Sequence, residues 1–273
     1  MADFEKVLSA AATPARTASQ HQAPQIEFAE VSKQYANGRP ILDRLSLTVS
    51  KGEFLSIVGP SGCGKSTILK LISGLTPSTS GKILVDGMTP KDARETMSFI
   101  FQDATLLPWR TVRANVGLGL ELERVTADKQ AEKVNSLLEL VGLSHVSRAY
   151  PRELSGGMKM RVSIARALTT GPRLLLMDEP FAALDEMTRD RMNEELLRLR
   201  EEQKWTVVFV THSVPEGVFL STRILVLAPN PGRIHADHPI SLPYPRNGEL
   251  RSTAGYEQTV IAVSRSLREA RSA

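Results

Sequence analysis

Gly59-Pro-Ser-Gly-Cys-Gly-Lys65-Ser66-Thr67 is the stretch that decides the fold of this chain. It matches the phosphate-loop pattern G-x-x-x-x-G-K-[ST] in full. The short apolar run Phe54–Val58 precedes the loop, and apolar residues at helical spacing follow it over residues 66–73. The pattern therefore predicts a buried strand, a glycine loop and then a helix, which together form a site for phosphate groups.

The residue types of the loop suit a nucleoside triphosphate. Glycines allow backbone angles that are closed to other residues, so main-chain N–H groups can face the phosphates. We expect Lys65 to contact the β- and γ-phosphates and the Ser66 hydroxyl to ligate Mg²⁺. Cys63 is interpreted as a small filler rather than a redox sensor. The predicted phosphate-binding residues are Gly59, Pro60, Ser61, Gly62, Cys63, Gly64, Lys65, Ser66 and Thr67.

A second motif, Leu174-Leu-Leu-Met-Asp178-Glu179, is an apolar strand that ends in two acids. Such a strand delivers both carboxylates to the edge of a sheet, beside the phosphate loop. We expect Asp178 to hold Mg²⁺, directly or through water, and Glu179 to act as general base on the attacking water. The alternative is a pair of solvated acids at a strand end, which the presence of the phosphate loop disfavours.

The segment Leu154-Ser155-Gly156-Gly157 lies between these motifs, and a lone phosphate-loop enzyme would not need it. The segment precedes a predicted helix over residues 157–168, so its N–H groups lie at the helix end whose dipole attracts anions. Taken alone, Ser155 is better explained as an ordinary helix N-cap. Beside a complete phosphate loop, however, a second anion site indicates a γ-phosphate held by a second copy of the chain.

Strands alternate with helices along much of the sequence, which predicts an α/β fold with a parallel sheet. Alternating apolar residues at 26–31 and 45–49, with the turn signal Asn37-Gly38 between them, predict an additional antiparallel β-subdomain. Buried strands are predicted at residues 174–177, 206–210 and 224–227, and helices at residues 127–141, 188–203 and 254–268.

The chain divides into three predicted regions. Residues 1–24 form a mobile tail, residues 25–230 form the α/β domain, and residues 231–273 form a short extension that ends in a helix. Because residues 106–167 lack strand patterns, we expect a helical subdomain inserted at about 104–167.

Composition limits the classes of function. No apolar run approaches the roughly 20 residues that span a bilayer, so any membrane role needs a partner. The single cysteine excludes an internal disulfide and fits a reducing compartment. The net charge of +4 is interspersed with acids, and aromatic residues make up only 5% of the chain. These values argue against a nucleic-acid partner.

The ordered motifs resemble those of the ATP-binding-cassette (ABC) ATPases, over about residues 26–229. Residues 59–67 are similar to the Walker A motif of that family, residues 154–157 to its signature and residues 174–179 to its Walker B motif. The resemblance implies a P-loop core, ATP as substrate, Mg²⁺ as cofactor, and activity as a homodimer or as paired ABC subunits.

The resemblance also assigns roles to single residues. Asp185 resembles the D-loop aspartate, His212 the switch histidine and Gln102 the Q-loop glutamine that senses Mg²⁺, and Tyr35 falls where the family stacks an aromatic ring on adenine. Alternatively, Tyr35 is an aromatic residue at a strand end without a role in binding, and Gln102 is an ordinary polar residue of the surface. The implied catalytic residues are Lys65, Gln102, Glu179 and His212, and the implied Mg²⁺ ligands are Ser66, Gln102 and Asp178. The implied nucleotide-binding residues include Tyr35 and, from a partner copy, Ser155, Gly156, Gly157 and Asp185.

One position departs from the family pattern. After the two glycines the family often has Gln-x-Gln-Arg, whereas this chain has Met158-Lys159-Met160-Arg161. We expect Met160 to weaken a polar contact that orients the signature helix, and therefore to slow turnover.

The stretch after Gln102 bears on the partner. In transporters of this family the corresponding residues form a groove for a short permease helix, and an apolar cluster with Trp109 suits such docking. The alternative is that Leu106, Leu107 and Trp109 pack the inserted subdomain. Further similarity to importer ATPases of the nitrate/sulfonate/taurine group lies in residues 107–116, 180–185 and 231–234.

This similarity implies a peripheral ATPase on the cytoplasmic face of the inner membrane. An integral permease would dock near residues 106–109, and an extracytoplasmic solute-binding protein would complete the complex. The alternative is a soluble ABC ATPase of DNA repair or translation, although such chains usually carry two cassettes or a long coiled-coil arm. Nucleotide kinases and GTPases lack the 154–157 segment and His212, and the guanine-reading N-K-x-D motif is absent from this sequence.

Overall fold

The computed structural model describes residues 24–35 and 38–272. The predicted tail, except for Pro24, and Asn37 of the predicted turn lie outside these ranges. The strands within them are β1 (Pro24–Gln34), β2 (Pro40–Ser50), β3 (Phe54–Val58), β4 (Ser80–Val85), β5 (Met97–Ile100), β6 (Leu174–Asp178), β7 (Thr206–Val210), β8 (Arg223–Ala228) and β9 (Arg233–Pro239). The α-helices are α1 (Lys65–Ile72), α2 (Val112–Val116), α3 (Leu118–Leu122), α4 (Ala127–Leu140), α5 (Gly156–Leu168), α6 (Glu186–Gln203), α7 (Val214–Leu220) and α8 (Ala254–Ser272).

A six-stranded sheet in the order β5-β6-β7-β3-β8-β9 forms the centre of the molecule. Its first five strands are parallel and β9 adds an antiparallel edge. Every residue of β3, β6 and β7 is buried, as the continuous apolar runs require of strands covered on both faces. The predicted α/β fold with a parallel sheet is confirmed.

The register of this sheet brings the ends of three strands to one level. Ile57 of β3 pairs with Val210 of β7, and Val210 also pairs with Asp178 of β6. Because the strands are parallel, the loops that follow β3, β6 and β7 leave the same edge of the sheet. Ligands of open α/β sheets bind at this edge.

The antiparallel β-subdomain has the strand order β2-β1-β4. Phe28 of β1 lies opposite Leu47 of β2 on one side and Ile83 of β4 on the other. All three side chains are buried in a core that also contains Leu55 and Ile57 of β3. The β-subdomain therefore packs on one face of the central sheet, together with α1.

The other face of the sheet packs against the helical part of the chain. Phe54 and Val58 of β3 belong to the same apolar cluster as Val116 of α2, Leu138 of α4 and Val162 of α5. Residues 101–173 contain helices and no strand, all of them within the described range. The domain boundaries near 104, 167 and 230 stay predictions.

The C-terminal part continues this packing. Tyr256 and Val263 of α8 are buried, and Val260 and Leu267 pack on the same cluster, so the predicted apolar face of this helix is confirmed. The helix runs four residues beyond the predicted end at 268. None of the helices in the two described ranges is long and apolar enough to span a bilayer.

Candidate active site

The phosphate loop joins β3 to α1 at the ligand-binding edge of the sheet. Gly64 precedes α1 with φ 99°, and Gly62 has φ 78°; both lie in the region that favours glycine. A Cβ on Gly64 would also come within 2.6 Å of Leu42 Cδ2. No side chain caps the start of α1, so its first N–H groups are left for a bound anion.

Lys65 lies inside this loop and is 8% exposed. Its Nζ donates hydrogen bonds to Gly59 O at 2.9 Å and to Pro60 O at 3.0 Å. The ammonium group is therefore held among the backbone atoms that the sequence predicts to surround the phosphates.

Ser66 and Asp178 meet although 112 residues separate them in the chain. Ser66 Oγ donates to Asp178 Oδ1 at 2.9 Å. Burial raises the pKa of the Asp178 carboxyl, and the hydrogen bond from Ser66 opposes that rise. A hydroxyl and a carboxylate oxygen are the hard donors that Mg²⁺ prefers, and Mg²⁺ is usually held by one or two carboxylates together with substrate phosphates. These two side chains fit that ion.

Glu179 lies close to two other predicted site residues, His212 and Gln102. Its Oε2 lies 3.2 Å from His212 Nδ1 and 3.5 Å from Gln102 Nε2. Its backbone has φ 48°, in the left-handed region, and its N–H donates to Val210 O at 2.9 Å. The structure thus brings the predicted general base, switch histidine and Q-loop glutamine together beside the Ser66–Asp178 pair.

Ser155 and Asp185 both begin helices. Ser155 Oγ accepts a hydrogen bond from Met158 N at 3.3 Å, at the start of α5. Asp185 Oδ1 accepts from Thr188 N at 2.9 Å, at the start of α6, and this backbone hydrogen bond lowers the pKa of the Asp185 carboxyl. Ser155 is therefore a helix N-cap, as the simpler interpretation predicted.

The signature segment packs near Asp185 but not against the phosphate loop. A Cβ on Gly157 would meet Leu184 Cδ2 at 3.0 Å, whereas a Cβ on Gly156 would meet open space. Among the hydrogen bonds of the described residues, none joins residues 155–157 to residues 59–67. One copy of the chain therefore does not bring the two predicted anion sites together through hydrogen bonds.

Tyr35 and Met160 occupy contrasting environments. Tyr35 follows β1, is 40% exposed, and has Lys33 Nζ 5.0 Å from the centroid of its ring. Its role toward adenine stays a prediction. Met160 is 2% exposed within the apolar cluster around α5. Slower turnover because of Met160 stays a prediction.

The segment after Gln102 combines the two roles that the sequence left open. Leu106 packs against the core, whereas Trp109 is 70% exposed. The fully buried Asn115 holds the turn between them, because its amide bonds the main chain at Leu107, Arg110 and Thr111. Trp109 is therefore exposed on a turn that the hydrogen bonds of Asn115 stabilise.

Several side chains that the sequence analysis missed support this site. Arg166 of α5 donates to Thr105 O at 2.9 Å and so ties the signature helix to the loop after Gln102. Arg189 of α6 donates to Leu184 O at 2.8 Å and to Phe181 O at 3.3 Å. Each arginine bonds main-chain carbonyls, which carry no sequence signal.

The sequence around Glu216 carries a signal, but that signal indicates only a helix start. Ser213-Val-Pro-Glu216 fits the capping-box pattern S-x-x-E, so the start of α7 did have a signal in the sequence. Ser213 Oγ does accept from Glu216 N, at 3.3 Å. The carboxyl of Glu216, however, bonds Thr211 rather than the backbone of Ser213.

The chain is similar in sequence to known proteins. The family model of the ABC transporters matches residues 42–182. An uncharacterised ABC transporter ATP-binding protein of Methanocaldococcus jannaschii is 48% identical over 222 residues, which cover 81% of this chain and 83% of the relative. The aliphatic sulfonates import ATP-binding protein SsuB of Bacillus cereus is 42% identical over 240 residues, which cover 86% and 94%.

A solved structure is also similar. It is the dimeric ATP-binding cassette MJ0796 in a post-hydrolysis state, bound to ADP and Pi. The TM-score is 0.74 at 31% identity, and the match covers 80% of this chain and 99% of that chain.

Proposed function

Because the chain belongs to the ABC transporter family, in which it is an ATP-hydrolysing subunit, we propose that it energises the import of a small solute such as a sulfonate, taurine or nitrate. The observation that carries the hydrolysis in this proposal is the convergence of Gln102, Glu179 and His212 beside the Ser66–Asp178 pair. The import of a solute is supported by the similarity to SsuB. ATP hydrolysis needs a phosphate cradle, a base and a group that responds to the γ-phosphate, and these residues supply them.

In the proposed reaction the phosphate loop binds ATP. Main-chain N–H groups of residues 59–67 and the start of α1 face the phosphates, and Lys65 contacts the β- and γ-phosphates. Tyr35 stacks on the adenine. Ser66 and Asp178, with Gln102 nearby, would hold Mg²⁺, and the bound ion would supply positive charge for the phosphate oxygens.

Glu179 then accepts a proton from the attacking water, as a general base. His212 Nδ1 lies 3.2 Å from the same carboxylate, so it would orient Glu179, and as the switch histidine it would also approach the γ-phosphate. A base in this position is expected to contribute about 10²–10⁴-fold to the rate.

The second part of the proposal is that a partner copy completes the site. The helix start at Ser155-Gly156-Gly157 has the N–H groups and the dipole that attract an anion, and no hydrogen bond among the described residues links it to the phosphate loop. In the dimer that we propose, this segment of one copy closes on the γ-phosphate bound by the other. The dimeric, product-bound state of the similar cassette MJ0796 supports this arrangement.

The third part concerns the membrane partner. Trp109 is exposed on a turn that Asn115 braces from within, and a rigid aromatic anchor is typical of helix-in-groove docking. We infer that the permease docks near residues 106–109, so that the chain is peripheral at the cytoplasmic face of the membrane. A solute-binding protein on the outer side would deliver the cargo, as the import function of SsuB suggests. No comparison favours a role in DNA repair or translation.

The test is the substitution Glu179→Gln. It should lower kcat about 100-fold or more because it removes the base, and it should trap an ATP-bound dimer in size-exclusion chromatography with ATP and Mg²⁺. Glu202→Gln is the matched control, because Glu202 is an exposed partner of Arg198 far along α6. Hydrolysis at the wild-type rate in the Glu179 variant would refute the site. Recovery of ribosomal or DNA-bound partners instead of a multi-span permease would refute the transport role.

A further inference from the structure

Glu216 is a buried acid that the proposed reaction does not use. It lies in the first turn of α7 and is 6% exposed. Its Oε2 accepts a hydrogen bond from Thr211 Oγ1, and its Oε1 is buried without a hydrogen-bond partner. Burial raises the pKa of this carboxyl, against the Thr211 hydrogen bond and the positive charges of Arg189, His212 and Arg251. Burying a carboxyl with one unpaired oxygen costs folding free energy, so we expect the contacts of this residue to serve a function.

Thr211 connects Glu216 to the loop that carries His212. The Thr211 hydroxyl donates to Glu216 and accepts from Ser213 N at 3.0 Å. Ser213 Oγ in turn accepts from Glu216 N at 3.3 Å. The residues on both sides of His212 are therefore fixed by bonds that converge on Glu216.

His212 depends on this support. Its side chain is 65% exposed, and its bond to Glu179 is the only side-chain hydrogen bond it makes among the described residues. With no second side-chain hydrogen bond from the described residues, the position of its main chain helps to decide whether Nδ1 reaches the carboxylate.

A small cavity lies between the same groups. Its volume is about 10 Å³, and its lining includes Glu179, Arg189, His212 and Glu216. This is about the size of one water molecule. Arg189, which also lines the cavity, holds the main chain at Phe181 and Leu184. The residue Glu216 thus lines the same small cavity as Glu179 and His212.

We propose that Glu216 is a positioning residue for ATP hydrolysis, which acts through Thr211 to hold His212 against Glu179. The inference rests on the proposed roles of Glu179 and His212. It assigns a role to a side chain outside the motifs that bind the nucleotide, and it predicts that Thr211 and Glu216 work as one unit.

Two pairs of variants of the full chain test this. Thr211→Val removes the hydroxyl and Thr211→Ser keeps it; Glu216→Leu removes the acceptor and Glu216→Gln keeps an oxygen for Thr211. We expect the Val and Leu variants to lower kcat about tenfold, as the loss of one positioning hydrogen bond would, with KM for ATP within about twofold of wild type. The Ser and Gln variants should stay within about threefold of wild type.

Ser221→Ala is the matched control, because the Ser221 hydroxyl is buried at the other end of α7, where it bonds Ser56. It should leave kcat unchanged. The decisive measurement repeats Thr211→Val in a His212→Ala background. If Glu216 and Thr211 act through His212, the second substitution should not lower the residual rate further.

An equal loss of kcat in both backgrounds would overturn the inference, since a general loss of packing would then explain it. So would wild-type kcat in both the Thr211→Val and Glu216→Leu variants. If hydrolysis falls in Glu179→Gln and His212→Ala but not in these variants, this inference alone is wrong. If Glu179→Gln and His212→Ala hydrolyse ATP at the wild-type rate, the proposed site is wrong as well.

Discussion

Replacement of Asn115 by alanine should release the turn that carries Trp109. The Asn115 amide is fully buried and makes four hydrogen bonds: it accepts from Leu107 N at 2.8 Å and donates to Leu107 O at 3.1 Å, Arg110 O at 3.0 Å and Thr111 O at 3.0 Å. Its two N–H hydrogens are shared among three carbonyls, so the set counts as about three full bonds.

At about 1 kcal/mol for each bond, the Asn115→Ala variant should lose about 3 kcal/mol of unfolding free energy. Because Leu107 and Arg110 are only half-buried, water can replace part of this, and we expect about 2–3 kcal/mol. Urea denaturation followed by circular dichroism measures the loss. Trypsin should also cut the native variant faster at Arg110, next to the loosened turn.

Asn135→Ala is the control for this experiment. Asn135 is exposed on α4 and accepts one hydrogen bond from Arg113, at 2.6 Å, so its replacement should cost less than about 0.5 kcal/mol. A loss below about 1 kcal/mol in Asn115→Ala, or no difference from Asn135→Ala, would refute the reasoning that the amide braces the turn.

Three further outcomes are expected. Trp109→Ala should leave ATP hydrolysis by the isolated subunit unchanged but abolish co-purification of the permease; retained co-purification and transport would contradict the docking role. Because burial raises the pKa of the Cys63 thiol, less thiolate forms at a given pH, and iodoacetamide at pH 8 should label native protein far more slowly than urea-unfolded protein; equal rates would contradict this. Gly64→Ala should destabilise the chain by about 1–3 kcal/mol and abolish ATP binding, because the backbone has φ 99° and the new Cβ would strike Leu42. Gly52→Ala is the control: its backbone has φ 72°, but its Cβ would meet open space, so it should cost about 1 kcal/mol and keep ATP binding.

The central strands were predictable from sequence because they are buried on both faces. The strand predicted at 206–210 is observed as β7 with the same bounds, and the strands predicted at 174–177 and 224–227 extend by one or two residues. β9 was missed because it is an edge strand whose residues alternate between exposed and half-buried positions, with no apolar run. The helices α2 and α3 have five residues each, too few for a helical period to appear.

The site was predictable to the extent that its residues belong to motifs. Spacing identified the phosphate loop and the two acids of β6, and family resemblance added Gln102 and His212. Their supports were not predictable. Arg166 and Arg189 bond carbonyls of chain segments that only the fold brings near, and Thr211 and Glu216 look like an ordinary helix start until their side chains are seen to meet.

The capped helix starts at Ser155 and Asp185 differ in the hydrogen bonds that they can still offer a neighbour. The Ser155 hydroxyl accepts one hydrogen bond from its own helix, and it keeps both its proton and a second lone pair for a neighbour. Asp185 has a lowered pKa and two oxygens that only accept. The Ser155 cap can therefore donate to an oxyanion, whereas the ionised Asp185 can only accept. In the dimer that we propose, an Asp185 carboxylate would be disfavoured opposite a phosphate and a Ser155 hydroxyl would be tolerated there, so the two helix starts would help to select the orientation in which two copies pair.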